Sequence, residues 1–296
     1  MKIIYQMLCI PFINLLVTWL VKLLRPVLPA SLVNFVPVVG DVSVELPGGK
    51  ALILRSDGLD WIASLVAWNG LSGFEPETVS IYLRLLEHTE GVFDIGANIG
   101  FYALIAGLHR SDRTVHAFEP LPVAYERLLK NIAVNQLRNV KPVQAAVSNF
   151  DGEITLYVPD KIVVPRSAST LEGFRKAAQT FSVPALKLDS YIASNDVGQI
   201  DLIKLDTERT EHLVLDGAQQ LLARDRSLVI CEVLDGENDR ALAAFFADKN
   251  YQFYLITDQG LAHKDSITSD PARKFANYLF IPQEKTVRFL QNIPVH

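Results

Sequence analysis

The stretch "VFDIGANIGFY", Val92–Tyr102, decides the fold. A short apolar run stops at Asp94, crosses Gly96 and Gly100, and resumes as an apolar segment of helical character. A strand that ends in a glycine loop and runs straight into a helix turns the unpaired N–H groups of that helix toward the loop, where a ligand can sit. The same rhythm continues downstream. Strand patterns fall at residues 92–95, 113–118, 140–147, 200–205, 227–233, 251–256 and 276–281, with helical patterns between most of them. Short apolar strands alternating with helices predict an α/β fold: a doubly wound, mostly parallel sheet of seven strands covered on both faces. In such a sheet the ligand lies beyond the carboxyl ends of the strands, where the winding reverses.

The loop also limits what is bound. A dinucleotide fingerprint needs glycines at its first, third and sixth positions, the middle one so that backbone can touch a pyrophosphate. Here Asn98 stands between Gly96 and Gly100 and places a side chain where the diphosphate would lie, which disfavours NAD and FAD. The walls are acidic, with Asp94 closing the first strand and Glu119 closing the second in "VHAFEP". An acid about 20 residues past the glycines suits ribose hydroxyls. A nucleoside that lacks phosphates and carries an ammonium fits this arrangement, and S-adenosylmethionine is the common one.

At this point a family resemblance becomes specific. "VFDIGANIGFYALIAG", "VHAFEPLPVAYERLLKNIAVNQ", "AAVSNFDGEITLYV", "LKLDSYI" and "IDLIKLDTERTEHLVLDGAQQLL" follow one another in the order and wording of the FkbM-type methyltransferases, and "GFEPETVSIYLRLL" resembles the segment that precedes their glycine loop. The similarity covers about residues 70–235, and five motifs in order are far more specific than one. It implies a Rossmann-like class I methyltransferase fold with S-adenosylmethionine as cofactor. The implied reaction is methyl transfer to a hydroxyl oxygen, often on a sugar or glycan. By the same resemblance Asp94, Gly96, Asn98 and Gly100 shape the pocket for the methionine part of the cofactor, Glu119 holds the ribose, and Ala146 and Val147 flank the adenine. The blander readings are a helix-capping acid at Asp94 and turn or packing glycines at 96 and 100.

The fourth strand carries the candidate chemistry. In "LIKLDTERTE", alternation places Lys204, Asp206 and Glu208 on one side as the strand runs out toward the pocket. Asp206 and Glu208 are candidate bases or acceptor-positioning groups, and Lys204 is placed to fix a carboxylate or a developing alkoxide. Two carboxylates could also coordinate a divalent cation, but no metal is assigned. The structural alternative is an ion pair plus a helix cap. The family usually reads Asp-x-Glu-Gly here, whereas Arg209 follows Glu208. That change either crowds the site or recruits an anionic acceptor. Glu232 is a candidate to line the acceptor site and Glu75 to border the pocket, His116 is read as a packed strand residue, and His212 as a surface or rim residue.

The N-terminus is different in kind. Residues 3–21, "IIYQMLCIPFINLLVTWLV", carry no charge and are flanked by Lys2, Lys22 and Arg25. The length reaches the transmembrane threshold of roughly 18–20 residues, although Gln6, Pro11, Asn14 and Thr18 interrupt it. Three readings are open: a helix that anchors in or lies on a membrane, a helix docked on the protein or a partner, and a signal peptide. "VLPAS", residues 27–31, is a poor cleavage site. If the helix spans, its flanking cations keep the rest of the chain on the cytoplasmic side. "RPVLPASLVNFVP", residues 25–37, reads as a linker. Domain organisation is therefore a hydrophobic helix and linker at 1–37 and a methyltransferase domain at 38–296, with a hairpin and helix extension at 38–90. The hairpin is Asp41–Ser56 around "PGG", and "ETVSIYLRLLEHT" is a helix with Val79, Tyr82, Leu83 and Leu86 on one face. A strand at 151–158 and a polar loop at 159–182 break the βα rhythm.

Composition narrows the partners. With 28 Lys+Arg against 33 Asp+Glu, a net charge of −5, and no basic block, nucleic acid is not indicated; a small-molecule or glycan acceptor is. Cys9 and Cys231 lie in no metal or disulfide pattern, which suits a reducing, cytoplasmic setting, with membrane contact through residues 3–21 if that helix attaches. Two competing readings remain. A nicotinamide oxidoreductase is opposed by Asn98, and a catalytically silent, membrane-associated methyltransferase-like module draws on Arg209 and the apolar N-terminus.

Overall fold

A computed structural model of the protein describes residues 2–158, 169–170, 179–234, 238–270 and 274–296. The uncharged run at the N-terminus folds as two helices, α1 (Lys2–Leu8) and α2 (Pro11–Leu24), and not as one. Pro11 causes the break: it has no N–H to continue α1, but at the first position of α2 that N–H would be unpaired in any case. The 14 residues of α2 reach about 21 Å at 1.5 Å per residue, short of a hydrocarbon core of about 30 Å. Among the described residues no helix is long and apolar enough to cross a membrane. The stretch read as a linker contains a further short helix, α3 (Ala30–Phe35).

The β-hairpin forms as expected, with β1 (Val39–Glu45) antiparallel to β2 (Ala51–Asp57). Its outer edge is covered by asparagines. Asn135 accepts from Ile53 N at 2.9 Å and donates to Ile53 O at 2.6 Å, and Asn131 accepts from Arg55 N at 2.8 Å. These side chains complete the hydrogen bonds of an otherwise bare strand edge. Between hairpin and sheet lie α4 (Trp61–Asn69), which the sequence reading missed, and α5 (Pro76–Leu86). Asp60 starts α4 by accepting from Ile62 N at 2.9 Å. Val79, Tyr82 and Leu86 of α5 are buried as the periodicity predicts, and Leu83 is half-buried.

The main sheet begins with β3 (Gly91–Ile95), followed by α6 (Phe101–His109), β4 (Thr114–Phe118), α7 (Pro122–Val134) and β5 (Val140–Val143). The strand expected over 140–147 is split. After Val143 the chain leaves the sheet edge and β6 (Ala146–Val147) joins a separate three-stranded sheet with β7 (Gly152–Val158) and β8 (Gln179–Leu186). Of the polar loop expected at 159–182, residues 159–168 and 171–178 lie outside the described residues, and 179–182 begin β8. The chain then returns through α8 (Leu188–Ser194), β9 (Leu202–Leu205), α9 (Glu211–Asp216), α10 (Gln219–Asp225), β10 (Leu228–Glu232), α11 (Asp239–Phe246), β11 (Tyr251–Thr257), β12 (Gly260–Lys264) and β13 (Asn277–Pro282). The order in the sheet is β12-β11-β13-β10-β9-β3-β4-β5, parallel from β10 to β5 and antiparallel elsewhere. It therefore has eight strands where seven were expected, because "GLAHK" folds back on β11 as an edge hairpin. One apolar cluster packs α5, α6 and the hairpin against one face, and another packs α9, α10 and α11 against the other.

The winding runs outward from β3 through β4 to β5 and restarts at β9 on the other side of β3, so the reversal lies between β3 and β9. Asn131 links this centre to the hairpin, since its Nδ2 also donates to Ile99 O at 2.9 Å. Asn131→Ala strands the buried Ile99 carbonyl and the part-buried Arg55 N–H. We expect a loss of about 1–3 kcal/mol, and with it a fall in Tm of about 2–4 °C per kcal/mol. An unchanged melting curve, followed by circular dichroism, would show that this link does not hold the hairpin on the domain.

Candidate active site

A cavity of about 260 Å³ opens at the carboxyl ends of β3, β4 and β9, at the winding reversal. Nine of the ten residues singled out from sequence line it: Asp94, Gly96, Asn98, Glu119, Ala146, Val147, Lys204, Asp206 and Glu208. Gly100 does not. It sits just before α6 with φ +91°, and a Cβ there would stand 2.5 Å from Leu128 Cδ1, so its part is to start α6 close against α7.

The glycine loop is shaped by a close approach. Gly96 has φ +79°, and a Cβ would lie 1.8 Å from the carbonyl oxygen of Asp206. The loop after β3 and the end of β9 thus touch backbone to backbone, with Asp206 N donating to Ile95 O at 3.0 Å. Gly96 N and Ala97 N donate to Phe118 O at 3.0 and 2.9 Å, which joins the loop to β4 as well. Asn98 takes the left-handed conformation, φ 52°, and its buried Oδ1 has no hydrogen-bond partner. Asp94 Oδ2 accepts from Ala103 N at 2.8 Å, so the capping role is real and one carboxylate oxygen is committed to it. Glu119 accepts from Asn98 N and Leu121 N, both at 2.8 Å, one bond per oxygen. Each oxygen keeps a second lone pair that could meet a hydroxyl.

Burial raises both acids. Desolvation pushes Asp94 up to about 7 against the pull of Lys204 and its bond from Ala103, and it pushes Glu119 up to about 7 against two backbone N–H bonds. On the other side of the loop Lys204 is 1% exposed, and its Nζ has no hydrogen-bond partner. Burial alone would lower its pKa, but Glu75, Asp206, Asp94 and Glu232 together outweigh burial and hold it protonated above its ordinary value. Its nearest carboxylate contact is Asp206 Oδ2 at 3.7 Å, and it lies 5.1 Å from the centre of the Tyr102 ring. Glu232, at the end of β10, is raised to about 8 by burial first and then by Asp206 and Glu208.

Other parts of the site were not legible. β9 ends at Leu205, so strand alternation does not carry Glu208, which adopts φ 56° beyond the strand. Arg209 follows at φ 83°, a backbone region that glycine enters freely and arginine does not. Arg209 thus holds a glycine-like backbone conformation at the place where the family's Asp-x-Glu-Gly has its glycine. The turn is held by Glu211, whose Oε1 accepts from Thr207 N, Thr207 Oγ1 and Arg209 N at 3.0, 3.2 and 3.1 Å, while Oε2 accepts from Asn238 Nδ2 at 2.6 Å. Glu75 does reach the cavity; it accepts from Tyr102 OH at 2.6 Å and from Asn277 Nδ2 at 3.3 Å, and burial raises its pKa. His116 is packed in the core against Tyr191 OH at 2.8 Å and is lowered to about 4 by burial, as a strand residue of that kind should be. Among the described residues there is no group of three or more His, Cys, Asp or Glu able to hold a metal ion.

A Rossmann-like sheet with a glycine turn after β3 and a buried acid, Glu119, after β4 is the fold of the class I S-adenosylmethionine-dependent methyltransferases. Residues 94–253 match the methyltransferase FkbM domain, and the chain belongs to that family. It is 30% identical over 197 residues to 31-O-demethyl-FK506 methyltransferase FkbM of Streptomyces tacrolimicus, covering 57% of this chain and 74% of the relative. It is 24% identical over 176 residues to hexuronic acid methyltransferase AglP of Haloferax volcanii, covering 59% and 68%. A crystal structure of methyltransferase FkbM from Methylobacillus flagellatus is similar with a TM-score of 0.45 at 13% identity, covering 65% of this chain and 43% of that one. Family membership removes the nicotinamide oxidoreductase reading.

The residues present fit the cofactor. Unpartnered Asn98 Oδ1 and the ring of carboxylates offer acceptors to an ammonium and a favourable field to a sulfonium, and Glu119 offers lone pairs to ribose hydroxyls.

Two outcomes follow. Gly96→Ala drives a methyl group into the Asp206 carbonyl, so we expect loss of S-adenosylmethionine binding or of folding, read by calorimetry beside circular dichroism; normal binding would refute the close approach. Arg209→Gly relieves a left-handed backbone and should stabilise by about 1–2 kcal/mol in denaturant unfolding. Asp94 and Glu119 also leave a mark on stability. Their native pKa values lie above those of free carboxylates, so between about pH 4 and 7 the folded state binds more protons than the unfolded one, and their contribution falls as pH rises through that window. The Asp94→Asn, Glu119→Gln double variant should therefore gain Tm relative to wild type as pH goes from about 5 to 7.5; a pH-independent difference would contradict the shifts.

Proposed function

We propose that the protein is an O-methyltransferase that methylates a hydroxyl of a sugar, a glycan or a related small molecule in the cytoplasm. The observation that carries this reading is the polarity of the cavity: cofactor-facing groups, Asp94, Asn98 and Glu119, lie on the glycine-loop side, while Asp206, Glu208, Glu232 and the charged Lys204 gather at the ends of β9 and β10. The relatives named for 31-O-demethyl-FK506 and for a hexuronic acid support a hydroxylated acceptor. The two free cysteines suit a reducing compartment.

In this reading Asp94, Gly96 and Asn98 position the methionine end of the cofactor, Glu119 takes the ribose, and Ala146 and Val147 flank the adenine. S-adenosylmethionine supplies an electrophilic methyl on a sulfonium. Asp206 orients the acceptor hydroxyl and takes its proton as the oxygen bonds to the methyl carbon and the carbon–sulfur bond breaks, leaving S-adenosylhomocysteine. Lys204 fixes the Asp206 carboxylate and faces the negative charge that grows on the oxygen, and Glu208 lines the acceptor side. Holding donor and acceptor in line is worth up to ~7–11 kcal/mol, which exceeds the hundredfold to ten-thousandfold that a base adds.

The test pairs binding with turnover. S-adenosylmethionine should bind with saturable heat, NAD should not, and Asp94→Ala should lose the binding. Against a panel of polyols and sugars, Asp206→Asn should keep cofactor affinity and lose roughly a hundredfold or more in kcat, measured as S-adenosylhomocysteine release. Cofactor binding without turnover on any acceptor would favour the silent module, for which Arg209 in its glycine-like conformation is the supporting observation.

A further inference from the structure

The N-terminal helices are built inside out. In α2 the residues turned toward the protein are Asn14, Thr18 and Val21, one helical stripe in which the first two are polar. The residues turned to solvent are Phe12, Leu15, Leu16, Trp19, Leu20 and Leu23, exposed by between 47% and 71%. The polar stripe is not a packing accident, because every polar group on it is used. Asn14 Nδ2 donates to Leu8 O and Pro37 O, both at 2.7 Å, its Oδ1 accepts from Val39 N at 2.9 Å, and Thr18 Oγ1 donates to Asn14 O at 2.7 Å. Asn14 thereby fixes α2 to the end of α1 and the start of β1, and Trp68 Nε1 adds a bond to Val36 O at 2.8 Å that seats the following turn on α4. The apolar face is consequently held outward by specific bonds.

This face is concentrated. Of the eighteen large apolar side chains exposed among the described residues, thirteen come from the first 35 residues. A patch of that size on a helix normally marks an interaction surface. Charge selects its occupant. Exposed Lys22 and Arg25 follow the apolar face of α2, no acid occurs before Asp41 in a protein whose net charge is −5, and the one acid the structure sets beside this region is Asp57, near Cys9 at the α1–α2 turn, so cations dominate the α2 end of the patch. A second copy of this chain would bring the same cations to the same face. An anionic lipid surface supplies the opposite charge along with acyl chains for the apolar side chains, and exposed Trp19 is a residue that settles at the headgroup boundary.

We propose that α1–α3 form an interfacial docking element that lies on an anionic membrane surface, with Phe12, Leu15, Leu16, Trp19, Leu20 and Leu23 inserted and Lys22 and Arg25 on the headgroups. No span is involved, in keeping with the length of α2. The inference does not depend on the acceptor or on the chemistry proposed above.

The experiment is co-sedimentation of the full chain with vesicles of pure phosphatidylcholine and with vesicles containing about a third phosphatidylglycerol, alongside the Phe12→Ser, Trp19→Ser, Leu23→Ser triple variant and the Lys22→Gln, Arg25→Gln double variant. The altered side chains are exposed, and circular dichroism with S-adenosylmethionine calorimetry checks that the domain is intact. Binding to the anionic vesicles, reduced at least tenfold in the triple variant and severalfold in the double variant or in high salt, with a blue shift of Trp19 emission absent in Trp19→Phe, is the expected result. No pelleting with either vesicle overturns the proposal. So does a wild-type dimer that the triple variant converts to monomer without any vesicle binding, which would assign the face to a second copy.

Discussion

The site depends on one buried cation. Lys204 is enclosed at the end of β9 with no hydrogen-bond partner for its ammonium, and four carboxylates, Glu75, Asp94, Asp206 and Glu232, compensate it. An isolated ammonium there would give up its proton, since burial disfavours the charged form. The carboxylates reverse that, and Lys204 in turn restrains the rise that burial gives Glu75, Asp94 and Glu232. The elements that supply them come from separate parts of the chain: the turn before α5, β3, the end of β9 and β10. Their convergence requires the β10-β9-β3 order and the backbone contact between Gly96 and Asp206.

This arrangement sets one buried cation against the carboxylates that line the cavity. A cofactor that is itself positively charged complements the excess of carboxylate near Asp94 and Asp206, while Glu119 is held by its own pair of backbone donors. The turn after β9 shows the same economy. Arg209 occupies a glycine-like conformation at a cost of order 1–2 kcal/mol, and Glu211 offsets it with three hydrogen bonds to the turn.

Much of this was legible in sequence because it is local. Strand, acid, glycine turn and helix follow within Val92–Tyr102, and an acid ends the next strand, so pattern and family resemblance together named ten cofactor and catalytic candidates of which nine line the cavity. What was hidden is non-local or depends on an edge. Glu75 was named as a pocket-border candidate, but the bonds from Tyr102 and Asn277 that hold it there are contacts no spacing rule anticipates. Glu211 looks like an ordinary first-turn acid until the turn folds over it. β12 is an edge strand with weak alternation, β8 belongs to a satellite sheet and begins inside the stretch read as a polar loop, and β6 is only two residues long. In the N-terminal run Pro11 was visible, but hydropathy counts Asn14 and Thr18 as blemishes in an apolar helix when they are the side that binds the protein.

The most direct test of the central claim is the proton balance of cofactor binding. Titrating S-adenosylmethionine into the protein at pH 7 in phosphate and again in Tris, buffers of different ionisation enthalpy, gives the protons exchanged per site. If a cationic ligand enters a pocket whose Asp94 and Glu119 sit near 7, binding must ionise them and release protons, a release that Asp94→Asn diminishes. Heats that are identical in the two buffers, or an uptake of protons, would contradict the account.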